Sequence, residues 1–222
     1  MGKLIVLEGT DGSGKSTQFH LLTARLADEG RKFRKLVFPQ YQEPSSALIR
    51  MYLAGAFGEK PGDVNSYAAS AFYAVDRYAS YKKVWQQEYE NGGLILSDRY
   101  TTSNAVHQGS KMEPDQRNAF FAWLEDFEYV RLGLPRPDLV IYLDVPTELT
   151  ERMMRRREHD TNTHADIHEK DMAYLRLCRQ TGKEAAAACG WYVVHCADGE
   201  NMRSVEDIHE QIYRLVQEHL EG

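Results

Sequence analysis

Cysteine is scarce: the 222-residue chain has three, Cys178, Cys189 and Cys196, an odd number with no C-x-x-C pair. That argues against a disulfide scaffold or a cysteine-built zinc site, and it suits a reduced, cytoplasmic setting. Long apolar runs are missing as well; nothing approaches the roughly 18 uninterrupted residues that suggest a membrane span. The opening Met1-Gly2-Lys3-Leu4-Ile5-Val6 lacks a signal-peptide layout. An excess of cations is also lacking: 27 Lys and Arg face 33 Asp and Glu, a net charge of −6. General nucleic-acid binders draw most of their affinity from surplus cations against phosphate, so no nucleic acid is expected as a partner, and no membrane. Any anionic ligand must meet a local cluster of positive groups. No internal repeat, low-complexity tract or linker interrupts the chain, so one domain over residues 1–222 is expected.

What is present is a globular composition, 42% hydrophobic and 27% charged. Dense apolar runs at residues 4–7, 36–38, 94–96, 139–143 and 191–194 show no polar alternation, as expected when helices cover both faces of a parallel sheet. Helical spacing fills the intervals. Residues 16–29 carry Phe19, Leu22 and Leu26 on one stripe with Gly30 as a stop, and residues 204–220 carry Val205, Ile208, Ile212, Leu215 and Val216. Residues 68–89 and 115–130 read as long aromatic-rich helices, and Pro146-Thr147 caps another that runs into Arg155, Arg156 and Arg157. Strands alternating with helices imply an α/β, doubly wound parallel sheet. The polar residues 158–168, after the arginine cluster, are expected to belong to a lid spanning about 155–168.

Gly9-Thr10-Asp11-Gly12-Ser13-Gly14-Lys15-Ser16 fits G-x-x-x-x-G-K-[ST], between a predicted strand and a predicted helix. Glycines at 9, 12 and 14 let backbone N–H groups around Asp11, Ser13 and Thr17 turn toward a phosphate, and the helix N-terminus adds positive potential. Lys15 is expected on the β- and γ-phosphates and the Ser16 hydroxyl on Mg²⁺. The ligand is therefore a nucleoside triphosphate. No Asn-Lys-x-Asp guanine reader occurs, which favours ATP. Asp98, just past the run at 94–96, is placed to meet the same Mg²⁺. Arg99 follows it in place of a second acid, which suits a small kinase better than an ATP-driven machine.

Further segments carry a family resemblance. Glu8 through Thr17, Phe38-Pro39-Gln40-Tyr41, Phe72-Tyr73-Ala74-Val75-Asp76-Arg77, Asp98-Arg99-Tyr100 followed by Ser103-Asn104, and Gly133-Leu134-Pro135-Arg136-Pro137-Asp138-Leu139 occur in that order. From about residue 3 to 144 the chain resembles the thymidylate kinases (dTMP kinases). The resemblance implies a three-layer P-loop fold with a five-stranded parallel sheet and a lid, a homodimer, and ATP with Mg²⁺. The implied reaction is transfer of the γ-phosphoryl group of ATP to dTMP.

It also implies roles. Arg99 holds the acceptor phosphate with Tyr41, where many family members carry arginine; a neutral donor makes that bond about half as strong. Arg50 is a candidate to compensate. Tyr73 and Arg77, four apart on one helix face, stack on and hydrogen-bond a pyrimidine, with Phe72 as the alternative ring. Taken alone, Arg77 reads as a residue snorkelling to solvent. Asn104 matches a position that bonds the base, and His107 one where an aromatic, often tyrosine, crowds the sugar. Asp11 serves the acceptor's sugar and metal-bound water. Because Gly12-Ser13 puts no arginine in the P-loop, the lid must supply one, from Arg155 or Arg156 with Arg152 on the same face; such a group is worth about 10³–10⁵ in rate. Asp166 and Glu169 look like acids closing over sugar and metal. His159, His164 and His168 are too loosely spaced for a zinc site. Two other readings stay open: a deoxynucleoside kinase with Glu8 or Asp98 as base at a 5′-hydroxyl, and an ATP-binding switch without turnover.

Overall fold

In the computed structural model, strand β1 (Lys3–Gly9) buries Ile5 and Leu7 on one face and Leu4 and Val6 on the other. A strand apolar on both faces needs helices on both, and it gets them. The structure describes residues 1–161, 167–168 and 171–221, and of residues 156–161 the backbone only. After β1 come α1 (Lys15–Asp28), β2 (Arg34–Val37), α2 (Ala47–Leu53), α3 (Ser66–Ser80), α4 (Gln86–Glu90) and β3 (Leu94–Asp98). Then follow α5 (Arg117–Leu124), β4 (Leu139–Asp144), α6 (Thr147–Thr161), α7 (Met172–Cys189) and β5 (Tyr192–His195). A short hairpin of β6 (Ala197–Asp198) and β7 (Asn201–Met202) precedes α8 (Val205–Glu221).

The five expected strands form one parallel sheet in the order β2-β3-β1-β4-β5. On one face Phe19, Leu22 and Leu26 of α1 pack with Ile208, Ile212 and Val216 of α8. Each such side chain contributes about 1.5–3 kcal/mol by leaving water. On the other face lie Leu36, Phe38, Trp85, Tyr89 and Tyr100. The Gly133–Leu139 motif is structural: Asp138 Oδ2 accepts from Leu4 N at 2.7 Å, and Pro135 O accepts from the Tyr100 hydroxyl at 3.1 Å.

Both long aromatic helices depart from expectation. The first is α3, a π-helical turn at Tyr81–Trp85, and α4. The second is α5 continued by a π-helical segment, Glu125–Arg131. A third π turn, Asn104–Gln108, follows β3. Such turns are rare and turn up often at functional sites; Asn104–Gln108 lines the pocket described below, and Glu125–Arg131 carries Glu128, which holds Arg77 of that pocket from behind. The start of the expected lid, residues 155–161, is the end of α6; residues 162–166 lie outside the described residues.

β1 pairs with β3 so that Leu7 stands opposite Asp98. The loop after β1 and the residues after β3 therefore share one crevice at the carboxyl ends of adjacent strands, where open α/β sheets bind ligands.

Candidate active site

Residues 10–17 line a pocket together with Arg99, Met153 and Met154. Gly12 and Gly14 have φ of 73° and 78°, which suits glycine at both. At Gly12 a side chain would also collide with α6, its Cβ 2.7 Å from Met154 Cγ and 2.8 Å from Thr150 O. Lys15 Nζ donates to Asp98 Oδ1 at 2.5 Å and Ser16 Oγ to Asp98 Oδ2 at 3.2 Å. Burial and the nearby Arg99 charge pull the Lys15 ammonium below its usual range, against the pull of Asp98. Ser13 Oγ is buried in this wall and has no hydrogen-bond partner among the described residues.

A second pocket lies on the other side of Asp11 and Arg99, lined by Phe38, Tyr41, Tyr73, Arg77, Asn104 and His107 among others. The Asp11–Arg99 ion pair, 2.7 Å long, belongs to both pockets. Burial alone would raise the Asp11 carboxyl, yet Arg99, His107, His168 and Lys15 hold it well below the carboxylate range. Burial likewise opposes the Arg99 charge, and Asp11 and Glu8 overcome it.

Arg99 sits at φ 67°, rare for a residue with a side chain and frequent where a site over-determines its backbone. Its N–H donates to Leu7 O at 3.0 Å and its carbonyl accepts from Ser97 Oγ at 2.6 Å. Glu8 orients the guanidinium from behind: its Oε1 accepts from Arg99 Nη1 at 3.2 Å and from Gly9 N at 2.9 Å. Its Oε2 accepts from the Thr102 and Ser103 hydroxyls, each at 2.7 Å.

His107 is buried, with Nε2 3.0 Å from Arg99 Nη1. An arginine only donates, so Nε2 is the acceptor and the proton sits on Nδ1, 3.6 Å from Cys178 Sγ. Burial and the Arg99 charge push His107 down to about 3. His168 stacks on it at 5.8 Å, and burial takes it down to about 4.

On α3, Asp76 accepts from Gln40 N at 2.8 Å and Ser45 Oγ at 2.6 Å, and so anchors the loop that carries Tyr41. Arg77 is buried against Glu128, its Nε and Nη2 each donating at 2.7 Å.

Residues 7–212 match the family model described as thymidylate kinase. The chain belongs to the thymidylate kinase family. It is 33% identical over 193 residues to a thymidylate kinase of Mycobacterium tuberculosis, covering 85% of this chain and 87% of that protein. A probable thymidylate kinase of Pyrococcus horikoshii is 32% identical over 222 residues, covering 100% and 98%. The human thymidylate kinase is 27% identical over 212 residues, covering 95% and 88%.

Against what the family resemblance implied, the pockets bring together Asp11, Tyr41, Tyr73, Arg77, Arg99, Asn104 and His107 on one side and the P-loop on the other. Phe72 is not in that wall; its ring lies 5.7 Å from that of Phe57, so Tyr73 is the ring facing the pocket. The snorkelling alternative for Arg77 fails, because the residue is 1% exposed. Arg50 serves the loop instead of the pocket, donating to Tyr41 O at 2.7 Å and Glu43 O at 3.1 Å. Arg152 donates to Glu200 O at 3.3 Å, and Arg155 pairs with Glu151 on the surface of α6. The side chains of Arg156, Arg157 and His159 are outside the described residues, as are His164, Asp166 and Glu169 altogether. His168, read as part of a solvated lid, is a buried part of the acceptor-side wall.

Three contributors were not singled out for these roles: Glu8 as the support of Arg99, Glu128 and Asp76. Glu8 and Asp76 left a signal, a charge closing an apolar strand and a charge beside Arg77 on a largely apolar helix. Glu128 left none, because it sits in a segment that reads as ordinary amphipathic helix.

Proposed function

We propose that this chain is a dTMP kinase, transferring the γ-phosphoryl group of ATP to dTMP to give dTDP and ADP. The observation that carries the reading is the pair of pockets meeting at Asp11 and Arg99, one walled by the P-loop and Lys15, the other by Arg77, Asn104, Tyr73 and Tyr41. A phosphate-bearing acceptor is itself an anionic nucleophile, so the chain has to position and neutralise and need not remove a proton from a hydroxyl. The carboxylates a 5′-hydroxyl would need as base are engaged: Glu8 accepts four hydrogen bonds, and Asp98 holds Lys15 and Ser16. That disfavours a deoxynucleoside kinase.

Lys15 and the P-loop hold the donor phosphates, with the orphaned Ser13 hydroxyl adding one donor. Arg99 and Tyr41 hold the acceptor phosphate, and Asp11 fixes Arg99 and faces the sugar. Tyr73 stacks on the base while Arg77 and Asn104 bond its edge, and His107 borders the sugar. Mg²⁺ would be held by Ser16 and Asp98 and, when bound, neutralises charge between the phosphates. The fit is chemical: both donors are oxygen, and among the described residues no three His, Cys, Asp or Glu side chains converge as a cage. That suits a cation completed by phosphates and water.

The lid supplies the remaining cation from Arg155 or Arg156, since the P-loop carries no arginine. Arg155→Ala and Arg156→Ala, assayed separately, are expected to single out one with a rate loss of about 10³ or more. The enzyme works as one domain over residues 1–222 in the cytoplasm; among the described residues no helix is long and apolar enough to cross a membrane. It forms a homodimer, a reading supported by the exposed Val75 and Tyr78 on α3.

The test is ADP release with ATP and Mg²⁺ across dTMP, dUMP, UMP, dCMP, dGMP and thymidine. Preference for dTMP is expected. Faster turnover of thymidine would overturn the reading in favour of the nucleoside kinase, and ATP binding with no turnover of any acceptor in favour of the switch.

A further inference from the structure

We propose that Glu128 is a specificity-determining positioning residue that sets which hydrogen-bonding edge of a base the acceptor pocket can read. The inference rests on the proposal that Arg77 and Asn104 meet the base, and adds the residue that dictates what they offer it.

Glu128 is 0% exposed and comes from the π-helical segment after α5. Its two oxygens accept three N–H groups: Arg77 Nε on Oε2 and Arg77 Nη2 on Oε1, each at 2.7 Å, and Asn104 Nδ2 on Oε1 at 2.8 Å. Asn104 Nδ2 also donates to Ser70 O at 3.2 Å. Both neighbours of that nitrogen are pure acceptors, so the amide has one possible orientation. Its two N–H groups are committed, and the Asn104 side chain, which lines the pocket, has only its carbonyl oxygen to offer. Arg77 donates a third bond to Tyr100 O at 3.3 Å, leaving one N–H on each terminal nitrogen, and it can only donate.

The wall therefore presents a donor beside an acceptor. Thymine and uracil match it with the 4-carbonyl and N3–H. Cytosine opposes it at both points, with a 4-amino group against the guanidinium and a bare N3 against the Asn104 carbonyl. Guanine shows the same acceptor–donor edge as thymine, so this polarity discriminates against cytosine and not against guanine.

Glu128→Gln tests this, because an amide has one acceptor oxygen and cannot hold all three N–H groups at once; either Arg77 or Asn104 is released to turn. The ratio of kcat/KM for dTMP over dCMP is expected to fall about tenfold or more, the size of one mismatched buried hydrogen bond, with the loss carried mainly by KM for dTMP. Glu128→Asp, which keeps both oxygens, is expected to recover part of the ratio. A residue that merely props the fold would weaken both substrates alike. An unchanged ratio in Glu128→Gln overturns the proposal. Should that variant not fold, Glu128→Asp decides, because its shorter arm cannot hold Arg77 and Asn104 where Glu128 does: a partly fallen ratio supports the proposal and an unchanged one overturns it. Failure of the wild-type protein to turn over dTMP would sink the proposed function instead, before any variant is compared.

Discussion

The two pockets are made of different material. The donor pocket is largely one contiguous stretch, residues 10–17, whose shape comes from backbone and glycines, with Lys15 paired to Asp98 and the Asp11–Arg99 pair at its border with the acceptor pocket. The acceptor pocket collects side chains from the loop after β2, from α3, from the residues after β3 and from residue 168. It is held by the fully buried pair Arg77 with Glu128 and by the half-buried Arg99 with buried Glu8 and half-buried Asp11. A phosphate is nearly the same object in every nucleotide, so a local backbone device suffices for it. A particular base and sugar need donors and acceptors at fixed directions, and those are kept in place by groups that cannot reorient without exposing a buried charge.

That contrast predicts where each pocket is fragile. The largest effect is expected on stability from the acceptor side: Arg77→Met leaves Glu128 buried and unpaired, at about 3–5 kcal/mol in denaturant unfolding. A loss smaller than that of Lys15→Ala would break the comparison. Next is Lys15→Ala, expected to lower kcat about 10²–10³-fold or more, with dTMP affinity by calorimetry little altered.

The buried histidines give a third prediction. Both are held neutral when folded, down to about 3 for His107 and about 4 for His168, whereas an unfolded histidine titrates near 6.5. As pH falls from about 6.5 toward 4, the unfolded chain takes up protons that the folded chain refuses, so stability declines, by roughly 3 kcal/mol per histidine. Asp11, depressed when folded, adds to the loss only below about pH 4, the range in which an unfolded aspartate protonates. Unfolding of His107→Gln as a function of pH should show a shallower slope between pH 6.5 and 4; an unaltered slope would mean that the histidines are not the titrating groups. The smallest effect sharpens the division of labour: Tyr73→Ala should raise KM for dTMP about tenfold, roughly 1.4 kcal/mol, and leave KM for ATP alone.

Much of the donor side could be read along the chain because its determinants are local. Gly12, Gly14, Lys15 and Ser16 stand in fixed spacing, and the strand before them is apolar on both faces. On the acceptor side Arg77 could be named only through resemblance to a family, since its burial depends on Glu128, 51 positions away. Helix α7 went unremarked because the later part of its buried stripe is Thr181, Gly182, Ala185 and Ala186, small residues that do not stand out as a core-facing set. The π turns were hidden for another reason: they change register without changing composition.

By itself the amino-acid order determined the parallel sheet, the phosphate loop and the crevice beside it, because hydrophobic period, glycine placement and helix starts act over a few residues. Only the tertiary structure decided that Glu8 and Glu128 aim Arg99 and Arg77, that Arg50 serves a loop, and that His107 and His168 stack. Those outcomes depend on which distant groups share a buried, low-dielectric space, where an unpaired charge or amide costs too much to remain.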